Sequence, residues 1–334
     1  MKTIYDIARE AGTSAMTVSR VLNNKSASAK VRAKVERVAR KYGYVLNARA
    51  ASLKSKNTGA IGVIIVDIAN PVYSVSVRTM HDLLKPEGYH LILGITYGGS
   101  EEQFETLQMM RRERVVGLLL GTCEEEEHPD CDKLIGAMIQ SGTPVVLTGR
   151  NRKGLNADQV TSDNFAGACK AVDYLIRIGR RRIAFIAGQR DVLAAQQRLE
   201  GYKKTLQNSQ IEPDERMMSF GEWTRASGRA QMERLLKRGK QFDAVFTGND
   251  LLALGAMEAL SAAGLEIPKD MAVVGFDDIE LAGLVKPRLT TVAQPLEKIA
   301  STACRLLLDR ISGKEQSAPK EILFEPELIV RETA

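Results

Sequence analysis

Three sets of residues in this 334-residue chain have the types and spacing to do chemistry. The first is at 15–20. There Ala15, Met16, Thr17, Ser19 and Arg20 fall on the outward positions of a short helical repeat whose Val18, Val21 and Leu22 share the other face. A guanidinium such as that of Arg20 can donate two hydrogen bonds to a guanine edge, and Ala15 and Met16 offer the apolar contact that a thymine methyl accepts. The second set follows a series of apolar runs: Asp67 to Tyr73, Gly121-Thr122, Gly149-Arg150, Gly188 to Asp191, Gly248-Asn249-Asp250 and Asp277-Asp278. It contains no nucleophile with a base and an orienting group, no phosphate loop and no His-Glu-x-x-His helix. With only His81, His90 and His128 in the chain, acid-base catalysis has little to work with, so binding is expected rather than turnover, although carboxylates alone can serve a glycosidase. The third set puts Cys123, Cys131, His128 and five carboxylates into residues 121–131. These types can hold a soft divalent metal, but the spacing matches no zinc pattern. The expectation is a solvated acidic loop, with no metal and no cofactor.

The elements that must position these residues follow from pattern. Thr3 with Asp6 forms an N-cap pairing, Ile4, Ile7 and Ala8 keep helical spacing, and Gly12 stops the run. Ser14 can cap a second helix, and a third, from about Ser28 to Gly43, carries Val31, Val35, Val38, Ala39 and Tyr42 at three- and four-residue steps. Helix, glycine turn and helix make a helix-turn-helix, whose second helix fits the major groove of DNA. From residue 60 onward, strand-like runs at 60–66, 89–95, 116–121 and 144–148 alternate with helical stretches. The beat repeats with runs at 182–187, 244–247 and 271–276. Near-continuous apolar strands belong in parallel sheets covered on both faces, and such sheets bind ligands at the carboxyl ends of their strands. Asn249 or Asp250 can cap the helix that begins there, and Asp250 is the favoured one of the two.

Charge divides the chain in the same place. Residues 1–58 hold thirteen Lys or Arg against three acids, a net of +10, while the remainder holds 34 against 38. A basic head on a weakly acidic body points to a polyanion held by the head. At 44% hydrophobic and 26% charged residues the composition is globular, which excludes disordered and collagen-like classes. No apolar stretch approaches the roughly 18 residues that span a bilayer, and the N-terminus has no apolar signal core. With four scattered cysteines, free thiols and a cytoplasmic setting are expected, with no membrane partner.

The runs Thr3-Ile4-Tyr5-Asp6-Ile7-Ala8, Ala11-Gly12-Thr13-Ser14 and Thr17-Val18-Ser19-Arg20-Val21-Leu22-Asn23 resemble the head of the lac repressor/galactose repressor family of bacterial transcription regulators. The resemblance continues through Gln197-Arg198-Leu199-Glu200-Gly201-Tyr202, Gly221-Glu222-Trp223-Thr224, Gly248-Asn249-Asp250-Leu251, Val274-Gly275-Phe276-Asp277-Asp278 and Leu289-Thr290-Thr291-Val292-Ala293-Gln294-Pro295. It implies phosphate contacts from Tyr5, Ser14, Thr17, Ser19 and Asn23, and base reading by Ala15, Met16 and Arg20. It also implies a hinge starting at Asn47 that turns helical on DNA, with Leu53 levered into a minor-groove step. Tyr44-Val45-Leu46-Asn47 lacks the proline usual in that junction. For the body the resemblance implies that Arg198, Asn249 and Asp277 grip the hydroxyls of an effector over the Trp223 ring. Gln294 would sit on a crossover strand, Asn70 and Tyr73 would come from the first strand-helix turn, and Ser162 from the opposite half. Gly121 and Gly149 stand where relatives carry polar side chains, leaving room for a bulkier glycoside.

The expected fold class is α/β, with an N-terminal all-α helix-turn-helix head and a periplasmic-binding-protein-like body of two doubly wound parallel-sheet subdomains. The expected boundaries are a head at 1–46, a hinge at 47–58, one subdomain from 59–161 with 293–320, and the other from 162–292 with 321–334. The resemblance implies a sequence-specific regulator, a repressor of a carbohydrate-use operon, that binds double-stranded operator DNA as a homodimer and answers to a sugar or sugar derivative. Because the chain stops at Ala334 with no heptad segment, a dimer is expected rather than a helical-bundle tetramer. A periplasmic-type sugar-binding protein and a carbohydrate-metabolism enzyme are the rival readings, and the basic head and the missing catalytic arrangement speak against them.

Overall fold

The computed structural model describes residues 2–22, 26–44, 59–121, 129–149, 154–239 and 241–334. The chain divides into two compact units, Met1–Thr58 and Gly59–Ala334. In the first, helices α1 (Ile4–Ala11), α2 (Ala15–Leu22) and α3 (Ala29–Lys41) close around Ile7, Ala8, Ala11, Val18, Val21, Val35 and Val38. The ends of α1 are where the capping chemistry puts them. The Asp6 N–H donates to Thr3 Oγ1 at 3.4 Å while the Thr3 N–H donates to Asp6 Oδ2 at 2.9 Å, and α1 stops at Gly12 with φ +61°.

The second unit holds two sheets with the same winding. The first half supplies β1 (Ala60–Ile65), α4 (Pro71–Leu84), β2 (His90–Ile95), α5 (Ser100–Arg112), β3 (Gly117–Gly121), α6 (Pro129–Gln140), β4 (Val145–Thr148) and β5 (Asp158–Ser162). The second half supplies α7 (Asn164–Arg177), β6 (Ile183–Ala187), α8 (Leu193–Asn208), β7 (Met218–Phe220), α9 (Arg225–Lys237), β8 (Ala244–Thr247), α10 (Asp250–Ala262), β9 (Ala272–Asp277), α11 (Glu280–Leu284) and β10 (Thr290–Ala293). The chain then returns to the first half with α12 (Leu296–Ile311) and β11 (Glu321–Phe324), and ends in the second with β12 (Glu327–Ile329). The strand orders are β2-β1-β3-β4-β5-β11 and β7-β6-β8-β9-β10-β12, parallel throughout except that β12 runs antiparallel to β10. Each order reverses beside its first strand, and such a reversal opens a ligand crevice at the carboxyl ends.

Both faces of each sheet are covered. In the first half Met80 and Leu84 of α4 and Ile299, Ala303 and Leu307 of α12 pack on one side, with Leu107 and Met110 of α5 and Ile135 and Met138 of α6 on the other. An ion pair pins α12: Arg310 Nε and Nη2 donate to the two oxygens of buried Asp158 on β5, each at 2.8 Å. The chain passes between halves after Ser162, after Ala293 and after Phe324. The last crossing falls beyond the 320/321 division expected from sequence, because Glu321–Phe324 pairs in register with Gln159–Ser162 of the first sheet. Among the described residues no helix is long and apolar enough to cross a membrane.

Candidate functional site

On the first unit, α2 starts at Ala15 because Ser14 accepts the Thr17 N–H at 3.1 Å; the Ser14 and Thr17 hydroxyls lie 2.9 Å apart. With Val18 and Val21 buried, the helix turns Met16 outward at 72% exposure and leaves Arg20 exposed, and Tyr5 on α1 is 71% exposed. Met16 is therefore no core filler. Ala15 is half-buried against the core, and Thr17 and Ser19 are half-buried as well. Asn23, Asn47 and Leu53 lie outside the described residues, as do Thr122 to His128 of the acidic loop. Cys131, beyond that loop, is buried, with Sγ 3.7 Å from the Ser100 carbonyl oxygen.

On the second unit, strand ends from both halves line a cleft of about 620 Å³. Its centre is Arg198 on α8, 5% exposed. Both Nε and Nη2 donate to Asn164 Oδ1, at 2.9 and 2.8 Å, Nη1 donates to the Gly248 carbonyl, and Nη2 stands 3.9 Å from Asp277 Oδ1. The guanidinium also lies 3.7 Å from the centroid of the Phe276 ring and 5.7 Å from that of Trp223. Gln294, just past β10, donates from Nε2 to Asp277 Oδ1 at 2.7 Å. Trp223 is seated on backbone: a Cβ on Gly188 would come within 1.9 Å of its ring, and one on Gly248 within 3.0 Å. Arg198, Asn249, Asp277, Trp223 and Gln294 thus line one cleft, and Asn70, Tyr73 and Ser162 of the first half line it too.

Two expectations need correction. Ser162 does not come from the half opposite Asn70 and Tyr73; it ends β5 of the same sheet, a strand whose polar Asp158-Gln159-Val160-Thr161-Ser162 hides it from an apolar pattern. The cap of α10 is Asn249, not Asp250: Asn249 Oδ1 accepts the Leu252 N–H at 2.8 Å while its Nδ2 donates to the Trp223 carbonyl at 3.2 Å. Asp250 instead goes fully inside, accepting from the Ile279 N–H at 2.8 Å and the Thr291 hydroxyl at 2.5 Å. Asn70 caps α4 through the Val72 N–H at 3.2 Å. At Gly149, φ is +89° with open space where a Cβ would lie, whereas a Cβ on Gly121 would meet Thr148 Oγ1 at 3.1 Å. Among the described residues, then, the space for a larger group lies beside Gly149 rather than Gly121. Sequence reasoning missed Asn164, just past the end of β5, whereas Gln189 fell within the Gly188 to Asp191 stretch it singled out without being named there.

Electrostatically, two buried carboxyls, Asp277 and Asp250, act on one another, and Arg198 stands beside Asp277. Burial raises Asp277 to about 6, against the lowering effects of Arg198 and Gln294. Burial and the neighbouring charge of Asp277 push Asp250 well above the ordinary carboxylate range. Unfolding returns Asp277 to about 3.8, so the folded chain holds its proton more tightly and stability should fall as pH rises from about 4 to about 6. Thermal melts across that window should show a slope that Asp277→Asn flattens; an unaltered slope would assign it to other groups. With Arg198 already bonded to Asn164 and Gly248 and Arg225 to Glu258, the cleft suits an uncharged ligand rich in donors and acceptors, and Trp223 offers a surface for an apolar C–H face.

Comparison with known proteins agrees with this layout. Residues 3–47 match the profile of bacterial regulatory proteins of the lacI family, and residues 172–334 match that of the periplasmic binding protein-like domain. The HTH-type transcriptional regulator CelR of Thermobifida fusca is 35% identical over 340 residues, covering 99% of this chain and 98% of that protein. Among solved structures, the lac repressor dimer bound to operator and the anti-inducer ONPF superposes with a TM-score of 0.86 at 29% identity, covering 99% of this chain and 98% of that one. A CelR–cellobiose complex superposes at 0.75 with 32% identity over the full length of both.

Proposed function

The chain belongs to the lacI family of bacterial regulatory proteins, and on that footing we propose a sequence-specific repressor of a carbohydrate-use operon that a sugar in the cleft controls. One observation carries the reading: a single chain joins a basic helix-turn-helix, with Met16 and Arg20 turned outward, to a body whose Arg198, Asn249, Asp277 and Trp223 converge on one cleft. In this reading Arg20, Met16 and Ala15 face bases. Tyr5, Ser14, Thr17, Ser19 and Asn23 hold phosphates, and the segment from Asn47 through Leu53 folds into the minor groove. That the lac repressor relative is a dimer on operator supports a homodimer on a near-palindromic site, and the cellobiose in the CelR complex supports a saccharide in the cleft. The protein works in the cytoplasm, where its operator is. The chain acts as a head at 1–46, a hinge at 47–58 and two effector subdomains.

The control is a population shift. A sugar that bridges the halves favours a closed body, and that body disfavours the hinge geometry in which Leu53 inserts. Such coupling is reciprocal. The test is to select the preferred duplex from random DNA, then titrate saccharides with and without it. Sugar affinity should change by the same factor as operator affinity; equal sugar affinity in both conditions rules the mechanism out.

A further inference from the structure

Two polar atoms on the cleft wall are buried without a hydrogen-bond partner among the described residues: the hydroxyl oxygen of Ser162 and the amide oxygen of Gln189. Buried acceptors are seldom left unmet, because folding has removed them from water. Their neighbours in the cleft are met. Asn70 and Asn249 cap helices, Gln294 donates to Asp277, and Arg198 donates to Asn164 and Gly248. The similar atoms of Gln103, Ser219 and Gln231 do not line the cleft. Ser162 belongs to the first half. Gln189 belongs to the second and directly follows Gly188, the residue against which the Trp223 ring lies. The local turn is closed by the Gln189 main-chain carbonyl, which accepts the Val192 N–H at 3.3 Å.

We propose that Gln189 is a specificity-determining residue of the cleft. Its amide oxygen accepts a hydrogen bond from a hydroxyl of a neutral saccharide stacked on Trp223, and Ser162 meets the same molecule from the other half. This rests on the saccharide reading above and adds a requirement to it. With the amide oxygen turned into the cleft, the group it meets must be a donor, which a saccharide hydroxyl supplies. A ligand that satisfies both atoms touches both halves and so stabilises their closed arrangement.

The test uses the full-length chain, its Gln189→Leu variant and calorimetric titration with neutral mono- and disaccharides, glucose and cellobiose among them. For the saccharide that binds best, Gln189→Leu should weaken binding about five- to tenfold, the worth of one net hydrogen bond. One monodeoxy derivative of that saccharide should lose the same factor on the wild type and nothing further on the variant. Without sugar, the variant should melt no lower than the wild type, because it removes an unmet polar atom. Equal saccharide binding by variant and wild type overturns the inference alone, and so does a sugar-free variant that melts several degrees lower. If no saccharide binds the wild type, the saccharide reading falls and the inference with it.

Discussion

Replacing Arg198 by methionine should cost the second unit about 3–5 kcal/mol and abolish its response to sugar. The size follows from what the guanidinium meets. At 5% exposure it donates to Asn164 and Gly248 and provides positive charge beside Asp277, a buried carboxyl that also feels buried Asp250. Methionine fills much of the volume but leaves two acceptors unmet and the Asp277 carboxyl without its cation, which drives that group toward the protonated form. Denaturant unfolding measures the loss, and a double-mutant cycle tests its cause. Adding Asp277→Asn to Arg198→Met should recover part of the stability, because the amide needs no counter-charge, while sugar binding stays lost. A single variant that unfolds at the wild-type midpoint would show that Arg198 is not what offsets the buried acids.

The second large effect is on DNA. A protein that makes about 6–10 phosphate contacts loses about 10³–10⁵ in affinity between about 50 and 200 mM salt. Gel shifts with the selected operator should show a loss of that order, since the net +10 of residues 1–58 has no other evident role. Arg20→Ala should behave differently from a phosphate contact. It should weaken the operator by about 1–3 kcal/mol, relax selection at one base pair and leave the salt slope nearly unchanged. A variant that loses salt dependence without losing base preference would move Arg20 from bases to phosphates.

Much of this architecture was open to a reading of pattern alone. The head's helices start and stop at residues with local reasons to do so, the Thr3–Asp6 pairing and Gly12, and the capping hydroxyl of Ser14 places α2. Seven apolar runs announced seven strands of two parallel sheets, and the charge step near residue 58 marked the division between units. These are short-range effects: hydrogen bonds within four residues, period-two and period-3.6 burial, and composition. The amphipathic spacing of Ile299, Ala303 and Leu307 in α12 was also there to be read.

The rest depended on partners distant in the chain. Strand β5 has little apolar character of its own and exists because it lies between β4 and β11, with Asp158 tied to Arg310, 152 residues away. That long-range pairing placed Ser162 in the first half. Whether Asn249 or Asp250 capped α10 could not be settled locally, since both types cap well. Asp250 went inside because Thr291 and the Ile279 amide wait there to receive it. Arg198, Asn164, Asp277 and Gln294 span 130 residues, and only the winding of the second sheet, which sets α7, α8 and the ends of β9 and β10 side by side, brings them together. Local rules name the groups that can bond; the topology selects which of them do, because a buried charge or acceptor is stable only where the fold delivers its partner.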